Sequence, residues 1–149
     1  MANPKLDPVV KDLVQNKLGC GCPEEVFETI EYGPITGPNS TRGLSVTIGG
    51  RLLVWFTIFM PTPMHHGLHA LTTFVRDILK DGQDERDSRG LNRFRLVLIS
   101  ATGKSEEEEL LSITARALEM LLEDVKDDKV HVHVMGLDGL PGPIRSRVI

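Results

Sequence analysis

Two cysteines, separated by one glycine and followed by a proline, form the sharpest chemical motif of the chain. Cys20 and Cys22 are its only cysteines among 149 residues. Two thiols one residue apart can close a small, strained disulfide ring, which is easily reduced. The same thiolates can instead bind a soft metal such as zinc, copper(I) or iron, including iron in an iron–sulfur cluster. The motif predicts thiol-redox chemistry or metal binding; the simpler interpretation is two small buried residues in a helix–helix corner.

A tetrahedral metal site needs more ligands than this pair supplies. His65 and His69 lie one helical turn apart, a spacing at which two imidazoles can share one ion, and His66 lies between them. The candidate metal ligands are therefore Cys20, Cys22, His65 and His69, or a second copy of the cysteine pair across a homodimer. The simpler interpretation of the histidines is a solvated first turn of a helix.

The cysteine pair is expected to lie between two helices. Residues 4–18 place apolar side chains at i, i+3 and i+4, which is typical of an amphipathic helix. Pro23 is suited to the first turn of a second helix. Cys22 would then lie at a helix start, where the dipole lowers the pKa of a thiol, although Glu24 and Glu25 oppose this effect. The apolar residues of this second helix are Val26, Phe27 and Ile30.

The segment after residue 43 predicts a β-hairpin. Residues 44–48 alternate between apolar and polar types, and Gly49-Gly50 separates them from an apolar run over 52–59. Two strands around a pair of glycines are typical of a tight hairpin turn. The second strand is apolar on both faces, as expected of a central strand covered on both sides.

The order from residue 51 onward is β-α-β-α-β, which calls for parallel strands joined by helical crossovers. The first crossover helix is expected to end near Gly82, before a polar surface loop over 81–92, and the second to span 105–123. Further strands are expected over 94–99 and 130–135. The sequence thus predicts an α/β fold: a small mixed four-stranded sheet, with residues 44–48 as the antiparallel edge strand and two N-terminal helices covering the other face.

The length of 149 residues matches one domain. We expect a single α/β domain over 1–149, with an N-terminal helical segment over 1–32, the sheet and its crossover helices over 43–135, and a C-terminal tail over 136–149.

A second candidate site follows from the topology. In open α/β sheets, ligands bind beyond the carboxyl ends of the parallel strands. Three separate segments follow those ends, and their polar residues are expected to be neighbours that bind a cofactor or a small anionic ligand. These residues are His65, His66, Thr102, Lys104 and Asp138.

The composition excludes several classes of protein. A net charge of −4 and an aromatic content of 5% argue against a dedicated nucleic-acid binder. The longest apolar stretch covers residues 52–60, which is shorter than the roughly 20 residues of a membrane-spanning helix. The N-terminus lacks the apolar segment of a signal peptide. We therefore expect a soluble, cytoplasmic protein with no membrane partner, in a compartment where thiols normally stay reduced.

Two functions compete on this basis. The first is a thiol-redox or metal-binding protein that works through Cys20 and Cys22. The second is a non-catalytic ligand-binding or assembly domain, which would use the pocket at the strand ends or an edge strand. His131 and His133 are expected on the surface of such an edge strand, where they could pair across the two-fold axis of a homodimer. Whether the protein is an enzyme stays open, because no nucleophile–base pair stands out.

Overall fold

Five strands and four α-helices form the framework of the computed structural model, which describes residues 6–19, 24–35, 43–59, 68–100, 104–125 and 129–148. The N-terminal helix begins as an α-helix and continues as a π-helical turn. In chain order, the elements are α1 (Asp7–Asp12), the π-helical turn (Leu13–Lys17), a 3₁₀ helix (Glu24–Glu28), β1 (Ile30–Pro34), β2 (Leu44–Ile48), β3 (Leu52–Phe59), α2 (Leu68–Ser88), β4 (Arg93–Ser100), α3 (Lys104–Val125), β5 (Val130–Gly136), a second 3₁₀ helix (Leu137–Gly139) and α4 (Gly142–Val148).

The strands form one mixed sheet in the order β1-β2-β3-β4-β5. β1, β2 and β3 are antiparallel neighbours, whereas β3, β4 and β5 are parallel. The predicted α/β class and the mixed sheet are confirmed. The predicted count of four strands is wrong, because β1 is a fifth strand and takes the edge position expected for β2.

β1 replaces the end of the predicted second helix. That helix is a 3₁₀ helix of only five residues, and Ile30, expected to be its last buried residue, opens β1 instead. Ile30 and Tyr32 lie opposite Ile48 and Val46 of β2. Apolar residues at alternating positions suit a half-buried strand, and pairing with β2 stabilises this segment as a strand and not as the end of a helix.

The glycine pair forms the predicted hairpin turn between β2 and β3. Gly49 and Gly50 have φ angles of 61° and 64°, which favour glycine over other residues. Gly49 also approaches the 3₁₀ helix closely, since a Cβ added to it would lie 2.5 Å from Cγ1 of Val26. The hairpin prediction is confirmed.

Helix α2 continues to Ser88, so the predicted end near Gly82 and the predicted loop over 81–92 are wrong. Gly82 is buried within the helix against an aromatic ring of β4. A Cβ added to Gly82 would lie 2.1 Å from Cζ of Phe94. The glycine therefore permits close helix–sheet packing, and does not end the helix.

Helices cover both faces of the sheet. The α2/α3 face carries a buried cluster in which Trp55 and Phe94 make an edge-to-face contact with ring centroids 5.2 Å apart. The opposite α1/α4 face is covered by the N-terminal helix and by α4. Ile144 and Val148 of α4, which belong to the segment predicted as a C-terminal tail, are buried in that cluster.

Candidate functional site

Most residues singled out in the sequence fall where the structure gives no side-chain description. His69 lies on the first turn of α2 and Lys104 is the first residue of α3. Asp138 is exposed in the 3₁₀ helix that follows β5. The predicted site residues that lie outside the described residues are Cys20, Cys22, His65, His66 and Thr102.

The parallel strands end side by side. Phe59, the last residue of β3, lies opposite Ser100 at the end of β4, and Ser100 lies opposite Gly136 at the end of β5. The chain continues from Ser100 to α3, which begins at Lys104, and from Gly136 to the exposed Asp138. The expected convergence of the strand ends is thus found in the backbone.

Sequence reasoning missed a buried arginine on the α1/α4 face. Arg95 of β4 lies opposite Val54 of the core and is only 7% exposed. Its Nη1 atom donates a hydrogen bond of 2.9 Å to the carbonyl oxygen of Leu18. Leu18 directly follows the π-helical turn and stands two residues before Cys20. The buried guanidinium is therefore anchored at the start of the cysteine-containing segment.

The contact with Arg95 occurs where the N-terminal helix ends. The amide of Leu18 donates to the carbonyl of Leu13, five residues earlier, and Gly19 follows with a φ of 69°. The last carbonyls of a helix have no partners within it and carry partial negative charge. Arg95 therefore satisfies one of these carbonyls, and the helix end offsets part of the cost of burying the positive charge.

A histidine completes this polar cluster. Nε2 of His133 lies 2.9 Å from Nη1 of Arg95. Because a guanidinium can only donate, Nε2 accepts, and the proton of the neutral imidazole is on Nδ1. Burial, then the charge of Arg95 and that of His131, lowers the pKa of His133 from 6.5 to about 4. The expectation of a surface histidine is corrected: His133 is half-buried and neutral near pH 7.

The positive charge of Arg95 has no carboxylate partner within the described ranges. Its Nε atom is buried and has no hydrogen-bond partner there. Burial and the charge of Arg93 lower the pKa of Arg95, yet a guanidinium stays protonated in proteins. A buried cation without a counter-ion is costly. The cluster of Arg95, His133 and Leu18 is therefore suited to stabilise an anion.

A second polar cluster, between the β1–β2 edge and α2, differs in its charge balance. Arg89 donates a hydrogen bond of 2.9 Å to Oγ1 of Thr47 and lies 3.6 Å from Glu31 and 3.8 Å from Glu85. These groups line a shallow groove of about 170 Å³. Two carboxylates neutralise Arg89, so this groove offers no uncompensated charge to an anion.

The helix dipole that was expected to lower the pKa of Cys22 is weaker than predicted. The helix that Pro23 was expected to start is a 3₁₀ helix of five residues over Glu24–Glu28, too short for a strong macrodipole. Its first residue, Glu24, pairs with Lys11 at 3.0 Å. Arg95, 75 positions after Cys20 along the chain, is a buried basic group that the structure brings to the helix end preceding the cysteines.

No group of three or more histidine, cysteine or carboxylate side chains suited to a metal ion occurs among the described residues. None of the helices within those ranges has the length and apolar character needed to cross a membrane. Comparison of the chain with protein-family models, with curated proteins and with solved structures gave no match.

Proposed function

We propose that the protein carries out thiol–disulfide exchange through Cys20 and Cys22, and that Arg95 favours their thiolate form. The observation that carries this proposal is the buried guanidinium of Arg95, which has no carboxylate partner among the described residues and donates a 2.9 Å hydrogen bond to the carbonyl oxygen of Leu18. The thiolate is the reactive form of cysteine, and a nearby positive charge increases its population. A thiolate is also an anion that a buried guanidinium can stabilise.

The local backbone supports the same function. The π-helical turn over Leu13–Lys17 ends just before the cysteine segment, and π-helical turns occur frequently at functional sites. Lys17 of this turn donates a hydrogen bond of 2.8 Å to the carbonyl oxygen of Gly139, which connects the turn to the segment after β5. Two basic side chains thus fix the chain leading into the motif.

In the proposed reaction, one thiolate of the pair attacks a sulfur of a disulfide in a partner molecule. The partner's S–S bond breaks, its second sulfur leaves with the bonding electrons and takes up a proton, and a mixed disulfide forms. The other thiolate of the pair then attacks the protein sulfur of that mixed disulfide and releases the partner as a dithiol. Two electrons pass to the partner, and Cys20 and Cys22 end as a disulfide. The reverse sequence oxidises a partner dithiol.

Metal binding by the same cysteines is the alternative chemistry, with zinc, copper or an iron–sulfur cluster as the bound group. His65 and His69 are the proposed additional ligands. The charge of Arg95 opposes binding of a bare dication but is compatible with an anionic, thiolate-bound cluster. This electrostatic difference favours exchange chemistry over a zinc site built from neutral histidines.

A non-catalytic ligand-binding domain is the second candidate function. The side-by-side ends of β3, β4 and β5 favour it, because ligands of open α/β sheets bind beyond such ends. The proposed ligand is a small anion, and the proposed contacts are His65, His66, Thr102, Lys104 and Asp138. This function predicts that Lys104→Ala abolishes binding, whereas Cys20→Ser and Cys22→Ser have no effect.

The deciding experiment uses the full chain, purified without oxygen. Elemental analysis and a thiol count on one sample separate a metal site from free thiols. The protein is then equilibrated in glutathione buffers with an increasing proportion of oxidised glutathione. Alkylation followed by intact-mass measurement gives the fraction of molecules in which the two thiols are reduced. The proposal predicts metal-free protein whose two thiols disappear together and reappear on reduction. Cys20→Ser and Cys22→Ser abolish this two-electron transition, and thiols that stay reduced at every ratio contradict it.

A further inference from the structure

The two edges of the sheet differ in their protection against strand pairing. β1 carries the exposed Glu31 as well as Gly33 and Pro34, and a charge and a proline are common means of blocking an edge. β5, at the opposite edge, reads VHVHVMG and contains neither a proline nor a carboxylate, lysine or arginine. Within the described part of the chain, β4 is its only strand neighbour. Among the described strands, β5 is therefore the edge that is open to another strand.

The sequence of β5 is self-complementary. Residues 130–134 read the same in both directions, valine alternating with histidine. Antiparallel pairing about a two-fold axis through Val132 sets each Val132 opposite its copy, and Val130 opposite Val134 of the partner subunit. All valines then meet on one face and all histidines on the other. Apolar cross-strand pairs without like charges stabilise a sheet.

The neighbouring surface of α3 extends the valine face of β5 into a longer apolar strip, which consists of Val132, Val134, Leu118 and Leu111. Leu118 is partly buried in the α2/α3 cluster together with Val132 and Val134 of β5. Leu111 lies two turns earlier on the same side of α3, and 56% of it is exposed. It is the one exposed large hydrophobic residue among those whose burial the structure describes. A β5–β5 contact would bring two copies of this strip together and bury it.

We infer that the protein forms a homodimer in which β5 pairs antiparallel with β5 of a second copy. The two five-stranded sheets become one continuous sheet of ten strands, and the α3 helices pack side by side across the two-fold axis. This inference does not depend on the proposed thiol chemistry, because it rests on β5 and α3 alone.

Sedimentation of the full chain over a range of concentrations tests the assembly. We expect about 33 kDa, twice the 16.5 kDa of one chain. Leu111→Glu introduces a charge at an exposed position and should raise the dimer dissociation constant at least about tenfold, whereas Ser112→Glu, at a neighbouring exposed position about 100° around the helix, should not. A monomeric wild type at about 100 µM overturns the inference, as does an unchanged constant for Leu111→Glu.

Symmetric cross-linking tests the register. In a Cys20→Ser/Cys22→Ser background, Val132→Cys sets two thiols opposite each other at the two-fold axis. Opposed residues of antiparallel strands have Cα atoms about 4.5–5.5 Å apart, within reach of a disulfide. We expect a covalent dimer on mild oxidation. Val134→Cys, whose copies would lie roughly 13 Å apart by the rise of a strand, should not cross-link. Equal cross-linking of both variants, or of neither, overturns this register.

Discussion

The Arg95 guanidinium donates a 2.9 Å hydrogen bond to Nε2 of His133, on the adjacent parallel strand. The two residues lie diagonally across the β4–β5 ladder, since the residue directly opposite Arg95 is His131. The contact links their charge states, because a protonated imidazole could not accept this bond. Burial, and then the charge of Arg95, lower the pKa of His133 and keep it neutral near pH 7. His133 in turn accepts one hydrogen bond from a guanidinium that also donates to the carbonyl of Leu18.

The free energy of unfolding should decrease as the pH is lowered, because His133 takes up a proton more readily in the unfolded chain. Its pKa is 6.5 in the unfolded chain and about 4 in the folded protein, so the unfolded state takes up a proton first. Stability is therefore fully present above pH 6.5, and decreases as the pH falls toward 4. Partial solvent exposure limits the loss to roughly 1–2 kcal/mol. Urea unfolding at a series of pH values measures it.

His133→Gln is the control for this prediction. Its amide oxygen can still accept from Arg95, but the side chain does not titrate. The decrease in the free energy of unfolding between pH 6.5 and 4 should be smaller in this variant than in the wild type. Identical pH profiles would show that the contact between His133 and Arg95 does not control the protonation of the imidazole.

Gly82→Ala should destabilise the protein although it lies in a helix. Alanine favours a helix by about 1 kcal/mol over glycine, but its Cβ would lie 2.1 Å from Cζ of Phe94. Overpacking of this kind costs about 1–3 kcal/mol, so we expect a net loss of roughly 1 kcal/mol in thermal or urea unfolding. Asp84→Ala, at an exposed position of the same helix, is the matched control. A higher melting temperature for Gly82→Ala than for Asp84→Ala would contradict the packing role.

Ile144→Ala should show that α4 belongs to the core. Ile144 is 0% exposed on the α1/α4 face. Removing a buried isoleucine side chain costs about 2–4 kcal/mol, whereas Ser146→Ala, at an exposed position of the same helix, should change the free energy of unfolding by less than about 0.5 kcal/mol. Equal, small effects of the two substitutions in urea unfolding would mean that α4 is dispensable for the fold.

The parts of the fold that could be predicted are those encoded locally. Gly49-Gly50, the alternating residues before it and the apolar run after it specify a hairpin without reference to the rest of the chain, and they form β2 and β3. β1 could not be predicted in this way. Its five residues also fit the end of a short helix, and only their pairing with β2 selects the strand.

The candidate site was harder to predict, because its polar contacts join distant parts of the chain. Arg93 and Arg95 alternate with apolar residues in β4, a pattern that in isolation is typical of a solvated strand face. The contact that buries Arg95 is made with Leu18, 77 residues earlier. The end of α2 was wrongly predicted at Gly82 for a similar reason. The aromatic ring that requires a glycine at this position belongs to β4, which is a separate element.

The pH dependence of cysteine alkylation tests the central claim most directly. The reduced full chain is treated with iodoacetamide across a pH series, and the modification of Cys20 and Cys22 is followed by peptide mass spectrometry. In the wild type, the reactive thiol should titrate below the ordinary thiol pKa of about 8.5. Arg95→Met should raise that midpoint by about one pH unit. Arg93→Met, which removes an exposed arginine from the same strand, should leave it nearly unchanged. Equal midpoints for the wild type and Arg95→Met would contradict the account.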